Sequence, residues 1–128
     1  YDMAKALSDE AVRQGKNVYF HIKLDTGMGR IGCLPEDAAK FAKIIDSSKF
    51  LSLGGMCTHF ALSDGLSHDA QKFTALQFED FNKAVENVKA EGINPGICSC
   101  GASAGLLNNE DMHFDMVDLS GKDFFDIN

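Results

Sequence analysis

Residues 18–25 alternate in polarity. Val18, Phe20, Ile22 and Leu24 fall on one face, and Tyr19, His21, Lys23 and Asp25 on the other. A period of two predicts a strand with one covered face. Before it, Ala4, Leu7, Ala11 and Val12 recur at helical spacing, which predicts a helix over residues 1–16 that ends at Gly15 and Asn17. After it comes a glycine-rich turn, and then Pro35-Glu36-Asp37 opens a second helix. Proline suits a first helical turn, and acids suit its positive end. Phe41, Ala42, Ile44 and Ile45 supply the apolar face of that helix. Residues 53–60 are apolar, include the pair Gly54-Gly55, and read as a second strand; residues 61–69 read as a polar loop. A long amphipathic helix is expected from Ala70 to Ala90, with Phe73, Leu76, Phe81, Ala84, Val85 and Val88 on one stripe and Gly92 as its cap. Residues 96–101 form a third strand, and Ala102 to Leu107 begin a short helix.

Helices and strands that alternate with short links argue an α/β fold with about three parallel strands. An open doubly wound sheet covers both faces with helices, so its strands read apolar throughout. The polar face of residues 18–25 therefore favours part of a (β/α)8 (TIM) barrel. The chain has 128 residues, about half of the roughly 250 a closed barrel needs. No internal repeat or linker is visible, and the chain begins at Tyr1 rather than Met, so residue 1 is not expected to be a natural start.

Charge narrows the partners. Lys+Arg is 12 and Asp+Glu is 19, a formal net charge of −7, and the only arginines are Arg13 and Arg30. Without a basic stripe the chain is not expected to bind nucleic acid or an anionic membrane surface. No apolar run approaches the ~18 residues of a membrane span. Cys33, Cys57, Cys98 and Cys100 are too sparse for a disulfide scaffold, and neither they nor the histidines show zinc spacing. They are expected to be reduced and buried, in a cytoplasmic protein, with no metal site.

In parallel α/β folds the chemistry lies at the carboxyl ends of the strands. Here those ends carry Lys23-Leu24-Asp25-Thr26 with Arg30 close behind, then Thr58-His59-Phe60, then Gly101-Ala102-Ser103. Arg30 could clamp a carboxylate, with a surface ion pair as the plainer alternative. A structural ion pair of Lys23 with Asp25 competes with a site role for Lys23. His59 could be a base, an orienter or a hydrogen-bonded core histidine. The run Gly101-Ala102-Ser103-Ala104-Gly105 fits the Gly-x-Ser-x-Gly pattern of a serine hydrolase. Only His113 follows it, however, so a triad is hard to close. Ser103 and backbone N–H groups at a helix start better suit an anion such as phosphate. The residues alone do not choose between pyridoxal phosphate and a sugar phosphate.

The stretch Lys23-Leu24-Asp25-Thr26-Gly27-Met28-Gly29-Arg30-Ile31-Gly32 closely resembles the K-x-D-T-G-M-G-R-x-G signature of bacterial alanine racemases. Gly55-Met56-Cys57-Thr58-His59-Phe60-Ala61, Ala102 to Leu107 and His113 to Val117 continue the resemblance, which covers residues 1–117. It implies a pyridoxal-phosphate barrel, acting as a dimer, that interconverts L- and D-alanine through a cofactor aldimine and supplies D-alanine for peptidoglycan. It also implies roles. Arg30 would meet the cofactor's phenolic oxygen and the substrate carboxylate. Lys23 resembles a lysine often carboxylated in this family, which would hold Arg30. His59 would orient the arginine at the ring nitrogen, and Ser103, with Ala102 beside it, would bind the phosphate. Rival readings are another barrel of this class (a cofactor carrier, a decarboxylase or a D-amino-acid lyase) or a serine hydrolase using Ser103.

Two positions depart from the pattern. Ala102 stands where the family often has Asn, and Asp118 where it has the arginine facing the ring nitrogen. Residues 118–128 read as a tail that does not match. The family's Schiff-base lysine motif and its tyrosine motif do not occur in these 128 residues. The isolated chain is therefore expected to show no conversion of L- to D-alanine and no stable cofactor binding. A chiral amino-acid assay, with borohydride trapping of any lysine adduct, checks both; turnover or a trapped adduct overturns the expectation.

Overall fold

The alternating segment becomes the first strand, β1 (Val18–Lys23), of a three-stranded sheet in the order β1-β2-β3. In this computed structural model the described residues are 2–63, 65–100 and 115, without the side chains of residues 2–4. Helix α1 (Asp2–Gln14) precedes β1. A short 3-10 turn, Pro35–Asp37, leads into α2 (Ala38–Asp46), which is followed by β2 (Leu51–Cys57), α3 (His68–Ala90) and β3 (Ile97–Ser99). Both strand pairs are parallel, as the helix–strand alternation requires. The expected helix at residues 102–107 lies outside the described residues.

The two faces of the sheet differ. Helices cover the face carrying Ile22, Leu24, Leu51 and Met56, which are buried, while Tyr19 and His21 on the other face are exposed. Helices on one face only, over parallel strands, is the layout of a barrel wall. The core between sheet and helices holds Ala38, Ala42, Ile45, Phe81, Ala84, Val85 and Val88. The expected apolar face of α2 forms around Ala42 and Ile45, with Phe41 packed beside them.

The β1–β2 register shifts by one residue between Phe20 and His21, so that Phe20 pairs with Leu53 but His21 with Gly55. Gly54 is the extra residue of a bulge. A Cβ on Gly55 would come within 2.6 Å of the His21 ring, so a larger residue there would collide with it.

Local chemistry sets the helix ends. The Ser67 side chain accepts a hydrogen bond from the Ala70 N–H at the start of α3. Gly92, at φ 75°, turns the chain just beyond its end.

Two expectations about packing need correction. Among the described side chains of α1 only Ala11 reaches the core, while Leu7 and Val12 are exposed. In α3 Leu76 is 48% exposed, and its neighbour Gln77, at 1%, takes the buried position. An apolar residue facing the strand ends could not bond the loop groups there, whereas an amide can. The strands are also shorter at their carboxyl ends than the sequence suggests: β1 stops at Lys23, with Leu24 in an isolated bridge to Cys33, and β2 stops at Cys57.

Leu76→Ala is expected to change stability by no more than about 0.5 kcal/mol. Phe81→Ala, at a fully buried position, should cost about 3–5 kcal/mol. Urea denaturation of the two variants checks the assignment; equal costs would overturn it.

Candidate active site

Lys23, Arg30 and His59 all sit at the carboxyl ends of β1 and β2. The loop from Asp25 to Cys33 closes on itself. Cys33 N–H donates to the Lys23 carbonyl at 2.9 Å, and Asp25 N–H donates to the Cys33 carbonyl at 2.8 Å. The chain thus leaves the end of β1, circles, and bonds back to it. Gly32 makes this closure feasible. Its φ is 132°, and a Cβ there would lie 2.6 Å from the Asp25 backbone nitrogen. Only glycine tolerates both the conformation and the contact.

Asp25 holds the loop from inside. Its carboxylate accepts hydrogen bonds from the N–H groups of Gly29 at 2.9 Å and Gly27 at 3.1 Å. These bonds, Gly29's first, hold its carboxyl below the usual aspartate range. Among the described residues no ion pair joins Asp25 to Lys23. The competing reading of a structural Lys23–Asp25 pair is therefore replaced: the carboxylate faces its own loop amides. From outside, the Phe73 ring of α3 lies against Gly27.

Arg30 is exposed on this braced loop. The chain's other arginine, Arg13, is bound to Glu10 on the surface of α1, but among the described residues no carboxylate pairs with Arg30. The expected alternative, a surface ion pair, is absent there. Lys23 ends β1 half-buried on the face away from the helices, with Cys57 as its register partner on β2. His59 follows β2 and is also half-buried.

Beneath these groups lies a buried polar chain that the sequence did not announce. Thr58 Oγ1 donates to the Leu24 carbonyl at 3.0 Å. Each hydroxyl has one proton, so in the 2.8 Å contact between Thr26 and Thr58 the donor is Thr26. Gln77 Nε2 in turn donates to Thr26 Oγ1 at 3.1 Å and points toward the His59 carbonyl at 3.5 Å. Gln77 Oε1 accepts from Ala61 N–H at 3.0 Å. Among the described residues no buried side-chain polar atom lacks a partner. The signal that could have found Gln77 is its phase: it lies four residues before Phe81 on α3, and both are buried.

Among the described residues none of the four cysteines is in a disulfide; Cys98 and Cys100 are buried, and Cys33 and Cys57 only half-buried. Burial raises the Cys33 and Cys98 thiols and pushes Cys100 up to about 12. None of those three is prepared as a thiolate nucleophile. Among the described residues no cluster could hold a metal ion, and no helix is long and apolar enough to cross a membrane. Ser103 and Ala102 lie outside the described residues.

The comparisons with known proteins agree with one another. The family model described as "Alanine racemase, N-terminal domain" matches residues 1–119. The chain is 39% identical over 126 residues to an alanine racemase of Treponema denticola, covering 91% of this chain and 33% of that protein. It is 42% identical over 116 residues to one of Desulfovibrio desulfuricans, covering 91% and 30%. The chain thus spans about a third of the length of the curated relatives it matches. Among solved structures, an alanine racemase of Clostridium difficile 630 in complex with cycloserine superposes with a TM-score of 0.86 at 26% identity, covering 93% of this chain and 32% of that one. A D-threo-3-hydroxyaspartate dehydratase of Delftia sp. HT23 shares the fold at a TM-score of 0.74 and 21% identity, covering 91% and 31%. The fold alone therefore does not select racemisation. The sequence matches do select a family: this chain belongs to the alanine racemase family, as part of its N-terminal barrel domain.

Proposed function

We propose that the chain is the central part of the barrel of an alanine racemase, which uses pyridoxal phosphate to interconvert L- and D-alanine for peptidoglycan synthesis. In this reading the protein works in the cytoplasm as a homo-oligomer. The family-like segment runs to residue 117, with 118–128 as a separate tail. The observation that carries the proposal is the closed Asp25–Cys33 loop, which presents Arg30 at the strand ends with no described ion-pair partner.

The residues fit part of such a cofactor. An uncommitted guanidinium suits an anionic oxygen and offers two parallel N–H groups to a carboxylate. Arg30 would meet the cofactor's phenolic oxygen and the carboxylate of alanine. Ser103, with the backbone at Ala102, would take the phosphate. When bound, the cofactor supplies the electron sink that makes the α-proton of alanine removable.

The chain's own residues orient rather than abstract. The Arg30 guanidinium would fix the substrate carboxylate. Lys23, carboxylated in this reading, would become an anion beside Arg30 and hold its guanidinium in place. His59 would orient the group that meets the ring nitrogen. Thr26 and Thr58 keep these parts in register from below.

The test uses the longer protein that carries this segment. It should exchange the α-proton of alanine for deuterium and interconvert the enantiomers, followed by proton NMR and a chiral assay. Arg30→Lys keeps the charge but loses the paired geometry, and should lower kcat by about a hundredfold. Absence of α-proton exchange in the unmodified protein would sink the proposal.

The loop also carries a pH dependence. Asp25's carboxyl is lowered in the folded chain, so its contribution is present above the unfolded value and is lost as pH falls through the folded one. The Gly27 and Gly29 amide resonances should hold steady from neutral pH down to about pH 4. They should move together below it. Movement near neutral pH instead would contradict the Asp25 assignment.

A further inference from the structure

We propose that Gln77 is a positioning residue that couples the Arg30 loop to the His59 turn; its kinetic part rests on the reading above.

Gln77 stands on α3, outside both loops, yet its amide reaches each of them. Through Nε2 it donates to Thr26, four residues before Arg30. Through Oε1 it accepts from Ala61, two residues after His59. The orientation of the amide is forced, because Ala61 N–H can only donate and the His59 carbonyl can only accept. At 1% exposure the amide has no access to bulk water as a substitute partner. The protons run one way: Gln77 N–H to Thr26, Thr26 O–H to Thr58, Thr58 O–H to the Leu24 carbonyl. Removing the first donor leaves the chain one proton short, and a bond at Thr26 or Thr58 must break. A displacement at one loop is thereby felt at the other, which sets the separation of Arg30 and His59.

Gln77→Glu preserves the shape and removes that donor. In such a buried place the introduced carboxyl titrates above the usual glutamate range. Acidification then restores the missing proton while Asp25, held low, is still ionised. In the 128-residue chain, a mere destabilisation by Gln77→Glu is told apart by comparing two conditions on one sample, each read against the unmodified chain: amide NMR at about pH 8 and about pH 5, a window above the Asp25 range. Gly27, Gly29 and Ala61 are expected to be displaced together at the higher pH and to return at the lower. Movement confined to Ala61 and its neighbours, or no return, overturns the coupling. If Gln77→Glu fails to fold, Thr26→Val carries the test. It keeps the volume but takes the hydroxyl from both Gln77 and Thr58, so a displacement of the Ala61 amide larger than that of the Thr58 amide supports transmission through Gln77, and an unmoved Ala61 or a shift that falls away from Thr58 toward Ala61 overturns it. In the longer protein Gln77→Glu should lower kcat by about tenfold, as loss of a group that orients reacting side chains does, with KM little changed; an unchanged kcat overturns the positioning role. An inactive parent protein would remove the racemase reading but leave the amide result standing.

Discussion

A buried amide must find hydrogen-bond partners, and among the described residues those that Gln77 bonds belong to two different loops. An unsatisfied polar group in the interior costs about 1–3 kcal/mol. Neither loop can drift from α3 without incurring that cost, so the helix fixes both strand ends through one side chain. The rest of the helix supports this placement: Phe81, Ala84, Val85 and Val88 bury the same face against the sheet, and Phe73 leans on Gly27. Apolar packing sets the depth of α3, and the amide then sets where the loops sit along it.

The division of labour across β1 follows from the same arrangement. Its covered face is aliphatic because it meets helices, and its other face carries Tyr19, His21 and Lys23. In a barrel that second face looks inward, and its last residue reaches the mouth where substrates bind. Lys23, as the last residue of β1, lies on that second face for a geometric reason that precedes any chemistry.

Much of this was legible. Period-two alternation located β1, proline and acids located the start of the second helix, and apolar spacing located the long third one. The D-T-G-M-G-R run gave the family, and the comparisons show it. What stayed hidden depends on contacts between distant residues. Hydropathy placed Leu76 inside because it is apolar, but the neighbouring position faces the loops, and there hydrogen bonding outweighs hydropathy. Asp25 and Lys23, two apart on one strand face, suggest a pair; the backbone amides of Gly27 and Gly29 are the nearer partners and become visible only once the loop has closed. The roles of Arg30, Lys23 and His59 as site residues rest on the family motif, and those of Ser103 and Ala102 on a segment outside the described residues.

The bulge at Gly54 has a larger effect than its size suggests. Along a strand, side chains alternate between faces, and a one-residue slip exchanges them. Before the extra glycine, the residues of β2 that accompany the covered side of β1 are Leu51 and Leu53; after it they are Met56 and, one step past the strand, Thr58. The odd-numbered phase becomes even. This phase change is what turns Thr58 toward the helices, where it joins Thr26. One inserted glycine, several residues upstream, thus decides that the hydroxyl of Thr58 joins the scaffold.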